Sequence, residues 1–303
     1  MNKYMKKGYA LTLIGATLWA VCGVSAQYLF DNRGLTTDWL VPVRLLLAGI
    51  ILVIIAAAKG KKDIFRIFKN KKDTFSLFIF AIMGVGACQY SYFTAISYSN
   101  AATATVLSYL SPVIIVGFLA LQSKKMPRKG ELLAVTLAII GTVLISTHGD
   151  FTSLAISKEA LLWGIFNAGT VAIYSIQPQQ IIKEYGTETV TGWGMLIAGI
   201  ILCVIFKPWH IVGTWDVVTF TMLGVIVVFG TVITFCFYLE GVKRIGPTKG
   251  SILATVEPIV STVLAVACLG VVFQGMDFVG FALVIGTIFI IAFDKEKPKD
   301  LVE

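Results

Sequence analysis

From Gly8 to Phe30, from Ala160 to Ile182 and from Val217 to Leu239 the chain carries no charged residue. Crossing a hydrocarbon core takes about 20 residues at roughly 1.5 Å each, so every one of these runs is long enough to span a bilayer as a helix. The same patterning, read along the whole chain, predicts ten spans over 8–30, 39–58, 75–96, 101–121, 131–147, 159–181, 189–206, 217–239, 248–270 and 277–293. The third and fourth must be separated by argument, because no charge occurs between Asp73 and Lys124. That interval is too long for one helix, and the polar stretch SYSNAA at 97–102 is its only punctuation, so the break is placed there. The first apolar run exceeds a leader's apolar core and lacks a small-residue cleavage site, so it reads as a spanning helix.

Composition agrees with this pattern. The chain has 303 residues, of which 57% are apolar and 14% charged, against about a quarter charged in soluble domains. The formal net charge of +8 would suit nucleic acid, but its distribution serves another purpose. With the amino terminus placed in the cytoplasm, 21 of the 25 Lys and Arg residues fall on the inner side. Arg33, Lys158 and Lys207 fall outside, and Arg44 lies within the second span. Such a bias is the positive-inside rule, and shifting the helix count by one destroys it. The expectation is a multi-pass protein of the cytoplasmic membrane with both termini cytoplasmic and no nucleic-acid partner. The cysteines Cys22, Cys88, Cys203, Cys236 and Cys268 all lie in apolar segments without a CxxC pair, which argues packing rather than a disulfide framework. His148 and His210 stand alone near segment ends, so no metal site is expected, and the GVG at 84–86 is too short for a phosphate loop. No cofactor is expected.

The chain also repeats itself. AGIIL at 48–52 recurs at 198–202, and Gln27 matches Gln177 at the same spacing. AISYSNAATATVLSYLSPVIIV (95–116) aligns with GVKRIGPTKGSILATVEPIVST (241–262), placing Tyr92 with Tyr238 and Pro112 with Pro258. IIGTVLI (139–145) then matches VIGTIFI (284–290). The predicted fold class is therefore an all-α integral membrane protein of ten transmembrane helices in two five-helix repeats, residues 1–150 and 151–303, the second with a short cytoplasmic tail. An odd number of spans per half inverts one half against the other, and inverted repeats characterise secondary carriers.

On these residues the chain resembles the drug/metabolite transporter superfamily, and within it the EamA family. YLEGVKRIGPTKGSILATVEPIVSTVLAV is similar to the family's second-repeat signature, and VPVRLLLAG to its second-helix segment with a single arginine. The likeness runs from the first helix to Phe293. Where relatives often carry Gly-Glu at the end of each fourth helix, this chain has Gln122-Ser123 and Gly270-Val271. The resemblance implies transport without naming the cargo.

The residue that asks for explanation is Glu257. No charge occurs for seven positions before it or nineteen after it. A carboxylate facing lipid near the bilayer centre costs at least about 2.5–3.5 kcal/mol, so it must face the bundle interior, a wet cavity or a partner. Pro258 follows it and opens the helical hydrogen-bond ladder at Ala254, and Pro112 does the same in the first half. Freed carbonyls beside a carboxylate make a station for a cationic group or a coupling proton or ion. The structural alternative is that Glu257 pairs with Arg44 or caps a neighbouring helix. Arg44 is six residues from Asp38, so it either snorkels to the headgroups or turns inward to meet a carboxylate. Further candidates for a cavity lining are Trp19, Gln89, Tyr92, Ser108, Tyr109, Asn167, Tyr174 and Tyr238. Ordinary interhelical packing is the competing account of each. Trp39, Tyr98, Trp193, Trp209 and Trp215, near segment ends, read as an interfacial belt, and Glu240 as the local partner of Lys243 and Arg244.

These features favour a secondary transporter moving a small polar or amphipathic metabolite, amino-acid-like or cationic, by alternating access and in the direction of export. The alternative is a lipid or lipid-linked-sugar translocase. A channel would call for rings of matched polar groups and an enzyme for an activated nucleophile or paired acids. The sequence shows neither.

Overall fold

The computed structural model describes residues 3–59, 64–123, 126, 129–150, 155–245, 250 and 253–293, and no strand occurs among them. Its helices are α1 (Lys3–Arg33), α2 (Thr37–Ala58), α3 (Lys71–Tyr98), α4 (Ala101–Ser108), α5 (Ser111–Ser123) and α6 (Lys129–Thr147). There follow α7 (Lys158–Ile176), the short α8 (Gln179–Tyr185), α9 (Thr187–Phe206), α10 (Val217–Val242), α11 (Val256–Leu269) and α12 (Gly275–Phe293). Among the described residues, eight helical stretches are long and apolar enough to cross a membrane: α1, α2, α3, α4 with α5, α6, α7, α9 and α10. Two shorter apolar helices, α11 and α12, follow them. Residues 248, 249, 251 and 252 of the predicted ninth span lie outside the described residues.

Several boundaries follow from single side chains. Asn70, Asn100, Ser157 and Asp216 each accept the backbone N–H two or three residues on, opening α3, α4, α7 and α10, the job short polar side chains do at an N-cap. The predicted sixth span, 159–181, overran. α7 stops at Ile176, because Pro178 cannot donate to the ladder, and α8 begins at Gln179. The predicted fourth span is broken at Tyr109 and Leu110, three and two residues before Pro112, and the helix is interrupted again by a turn at Thr255, three before Pro258.

Two distortions have no sequence signature. Phe80–Gly86 in α3 and Val225–Ile233 in α10 are wound as π-helix. In the register that aligns Tyr92 with Tyr238 the two stretches coincide.

α2 packs along α9 and α6 along α12; α1 lies against α10 and α11, while α7 lies against α3, α4 and α5. The glycine of each AGIIL copy sits in the α2–α9 contact, each against a leucine of the facing helix. A Cβ added at Gly49 would sit 2.6 Å from Leu196 Cα, and one at Gly199 2.7 Å from Leu46 Cα. The belt reading fails in part. Trp39 is buried with its ring edge-on to Trp215 at 4.7 Å. Trp193 donates to the Ile64 carbonyl at 2.9 Å and packs on Phe65 and Phe68. Trp209 and Tyr98 are exposed as expected. Glu240 binds Arg244 through Nε at 2.8 Å and Nη2 at 2.5 Å.

Candidate functional site

Between the helices lies a chamber of about 430 Å³, within the ~300–1,000 Å³ range of small-molecule sites. Glu257, Arg44, Trp19, Gln89 and Tyr92 line it, and so do Ser108, Tyr109, Asn167, Tyr174 and Tyr238. Every candidate lining residue named from the sequence is thus gathered around one space, with contributions from both halves of the chain.

The break at Pro258 explains how Glu257 is held. Without an N–H at 258, the Ala254 carbonyl loses its helical partner. The Tyr109 hydroxyl, from the broken region of the first half, donates to that carbonyl at 2.7 Å. The same hydroxyl lies 3.4 Å from Glu257 Oε2. A phenol has one hydrogen and accepts as well as donates, and the shorter contact identifies the carbonyl as its recipient. Its lone pairs therefore turn an acceptor site towards the carboxyl group. Pro112 breaks the first-half helix at the matching register, with buried Ser111 in the place of Glu257.

Arg44 does not snorkel. Its side chain is 3% exposed, with Nε donating to Thr231 Oγ1 at 2.7 Å and Nη1 to Gln89 Oε1 at 3.2 Å. Nη2 reaches the Gly230 carbonyl at 3.5 Å, and the guanidinium carbon stands 4.7 Å from the Phe93 ring centre. Thr231 and Gly230 belong to the π-helical stretch of α10, so the arginine grips that distortion directly. Among the described residues no ion pair joins Arg44 to Glu257 or to any other carboxylate. All its partners are neutral, which leaves a buried cation without a counter-ion and with donors to spare.

The remaining lining residues are fixed by one another. Asn167 is 1% exposed. Its amide nitrogen donates to the Cys88 carbonyl at 2.7 Å and to Ser91 Oγ at 3.1 Å, and its oxygen accepts from Ser108 at 2.5 Å. It ties α7 to α3 and α4. Tyr92 shares a hydrogen with Thr105 at 2.8 Å, Tyr174 lies against Phe80 and Tyr238 against Trp19 at 4.9 Å. Sequence reading missed Thr231, Gly230, Phe93 and Phe235. Only the FGTVIT run at 229–234 hinted at the first two, as hydroxyls beside a glycine inside an apolar span.

A second cavity, about 850 Å³, is lined by Lys7, Lys59, Glu188, Glu240 and Arg244. Lys59 pairs with Glu188 at 3.2 Å across its wall. Among the described residues no cluster of three metal-ligating side chains occurs.

Comparison with known proteins gives this arrangement its setting. The EamA-like transporter family matches residues 6–147 and again 158–293. The inner membrane transporter YicL of Salmonella typhimurium is 40% identical over 295 residues, spanning 96% of this chain and 97% of that protein. The transporter YyaM of Bacillus subtilis is 24% identical over 252 residues, 79% of each chain. A solved crystal structure superposes with a TM-score of 0.64 at 19% identity, over 96% of this chain and 99% of that one, and speaks for the fold alone. With nearly the whole length matched and a 40% identical relative, the chain belongs to the EamA-like transporter family of drug/metabolite type and is a multi-pass integral membrane protein.

Proposed function

We propose that the protein is a secondary carrier that moves a small zwitterionic or cationic metabolite outward by alternating access, with the 430 Å³ chamber as its binding site. The observation that carries this reading is the pair of opposed, unneutralised ends. A buried guanidinium without a counter-ion takes a carboxylate, and a buried carboxyl group beside Tyr109 takes an ammonium or a coupling proton. A zwitterion satisfies both at once, where a plain hydrocarbon would leave both unmet.

We take α11 and α12 as the ninth and tenth spans, giving two inverted halves of five. Three features support this. The family matches each half separately. The π-helical stretches fall at equivalent positions. Helix partners also exchange in pairs, α1 on α10 answering α7 on α3. Both termini then share one face, and Lys7, Lys59 and Arg244 around the larger cavity support reading it as the cytoplasmic one.

A second reading, movement of a lipid or lipid-linked sugar, draws on an apolar groove of about 750 Å³ lined by Trp39, Leu47, Trp215 and Phe220, which suits an acyl chain. One experiment separates the two. Purified protein is screened by thermal shift against amino acids, amines, organic acids and short-chain lipids, and the hits are tested by counterflow in proteoliposomes. Zwitterions or amines are expected to stabilise the protein and exchange. Stabilisation and exchange by lipids alone would replace the first reading with the second.

A further inference from the structure

The two cavities meet at one ring. Phe235 lines both the 430 Å³ chamber and the 850 Å³ vestibule. It is 7% exposed and stands edge-on to Trp19 with ring centres 5.7 Å apart. On the vestibule side stand Lys7, Lys59 and Arg244; on the chamber side stand Tyr238, Tyr109 and Glu257. We propose that Phe235 is the barrier closing the chamber toward the basic vestibule, and that the π-helical stretch immediately before it is the joint on which it turns. This rests on the carrier reading, since only a carrier needs the two spaces to be connected and separated in turn.

The joint follows from helix geometry. A π-helical turn holds one residue more than an α-helical turn. Resolving the extra residue, or moving it along past Phe235, rotates that position by one residue's share of a 3.6-residue turn, about 100°. Phe235 lies two positions past Ile233, the last residue of the stretch, so such a rotation would carry its ring away from Trp19. The distortion is held by two hydroxyls that bond carbonyls five residues back: Thr231 to Ile226 at 2.9 Å and Thr234 to Phe229 at 2.5 Å. The third fastener is Arg44, on Gly230 and Thr231. A solute that draws the guanidinium to itself loosens the stretch, which couples occupancy of the chamber to movement of its barrier. The counterpart of Phe235 in the first half is Gln89, a partner of Arg44, so the device belongs to one half only.

Native thiols report on the two sides, because Cys236 lines the vestibule and Cys88 the chamber. Membrane vesicles are treated with a charged, impermeant methanethiosulfonate, and modification of each cysteine is read by peptide mass spectrometry. Labelling of Cys236 identifies the vesicles whose basic face is outward. In these, wild-type Cys88 is expected to be protected. In Phe235→Ala its modification should rise about tenfold or more, since accessibility follows the local opening equilibrium. Phe235→Leu, which keeps more of the packing, should fall between. Cys88 equally protected in all three proteins, or labelled as fast as Cys236 in the wild type, would overturn the barrier. Counterflow persisting beside unchanged protection would do so while leaving the carrier reading intact. Labelling that rises as expected in a protein that exchanges no solute would support a barrier at Phe235 and remove the carrier reading instead.

Discussion

At Tyr109 a single hydroxyl stands in for a backbone N–H that Pro258 removed, and a double-mutant cycle can measure the substitution. Tyr109→Phe leaves the Ala254 carbonyl without a donor, and an unmet buried acceptor costs about 1–3 kcal/mol. In a Pro258→Ala background the helix regains its own N–H, so the same Tyr109→Phe change should cost clearly less by thermal or denaturant unfolding. Equal costs in both backgrounds would mean the hydroxyl is not that carbonyl's partner. Glu257→Gln keeps the shape of the acid but not its proton exchange. If Glu257 is a proton station, transport by this variant should lose its pH dependence, and an unchanged pH profile of counterflow would dismiss that role. Asp216, outside the membrane, gives a check with a known sign. The Thr219 backbone N–H and the Arg33 guanidinium 3.2 Å away hold its carboxyl group below the ordinary range. Its contribution to stability is present above the ordinary carboxylate range and fades as pH falls through the lowered value. Asp216→Asn should therefore lower the melting temperature at neutral pH and make little difference in strong acid. Glu257 was legible as a site because a charge at membrane depth has few explanations. The fate of Arg44 was not, since two of its three hydrogen-bond partners are neutral groups 186 and 187 positions away.

Helix breaks were readable where proline makes them and invisible where winding makes them. Pro112 and Pro258 announce the interruptions of the fourth and ninth segments. The π-helical stretches at 80–86 and 225–233 change hydrogen-bond register without changing composition, and no periodicity test on apolar residues detects them. Pro178 shows the other failure, a breaker overlooked because uncharged residues continue past it on both sides. The α2–α9 seam carries its own test. Gly to Ala inside a helix ordinarily gains about 1 kcal/mol of propensity. At Gly49 and Gly199 the new methyl would meet helix backbone rather than a flexible side-chain end, and such overpacking costs about 1–3 kcal/mol. Packing should win, so Gly49→Ala and Gly199→Ala are each expected to lower the unfolding temperature. A rise in either would show that the two helices can part without penalty.

At the scale of the whole molecule, the distribution of charge makes a testable prediction. The arrangement of basic residues predicts that both ends of the chain lie on one face. Impermeant thiol reagents applied to single-cysteine variants at the two termini should label both from the same side, and labelling from opposite sides would reject the ten-span topology. The distribution of Lys and Arg made this inference available without coordinates, whereas the chamber, assembled from residues more than 200 positions apart in sequence, became visible only on folding. The repeated AGIIL motif has one more consequence. Because the glycine of each copy rests on a leucine of the facing helix with no room for a methyl group, α2 and α9 form an axle that cannot be spread. In the carrier proposed above, the flanks would roll around that line rather than draw apart from it. Cargo preference can thus be rewritten in the chamber walls while the bearing stays untouched.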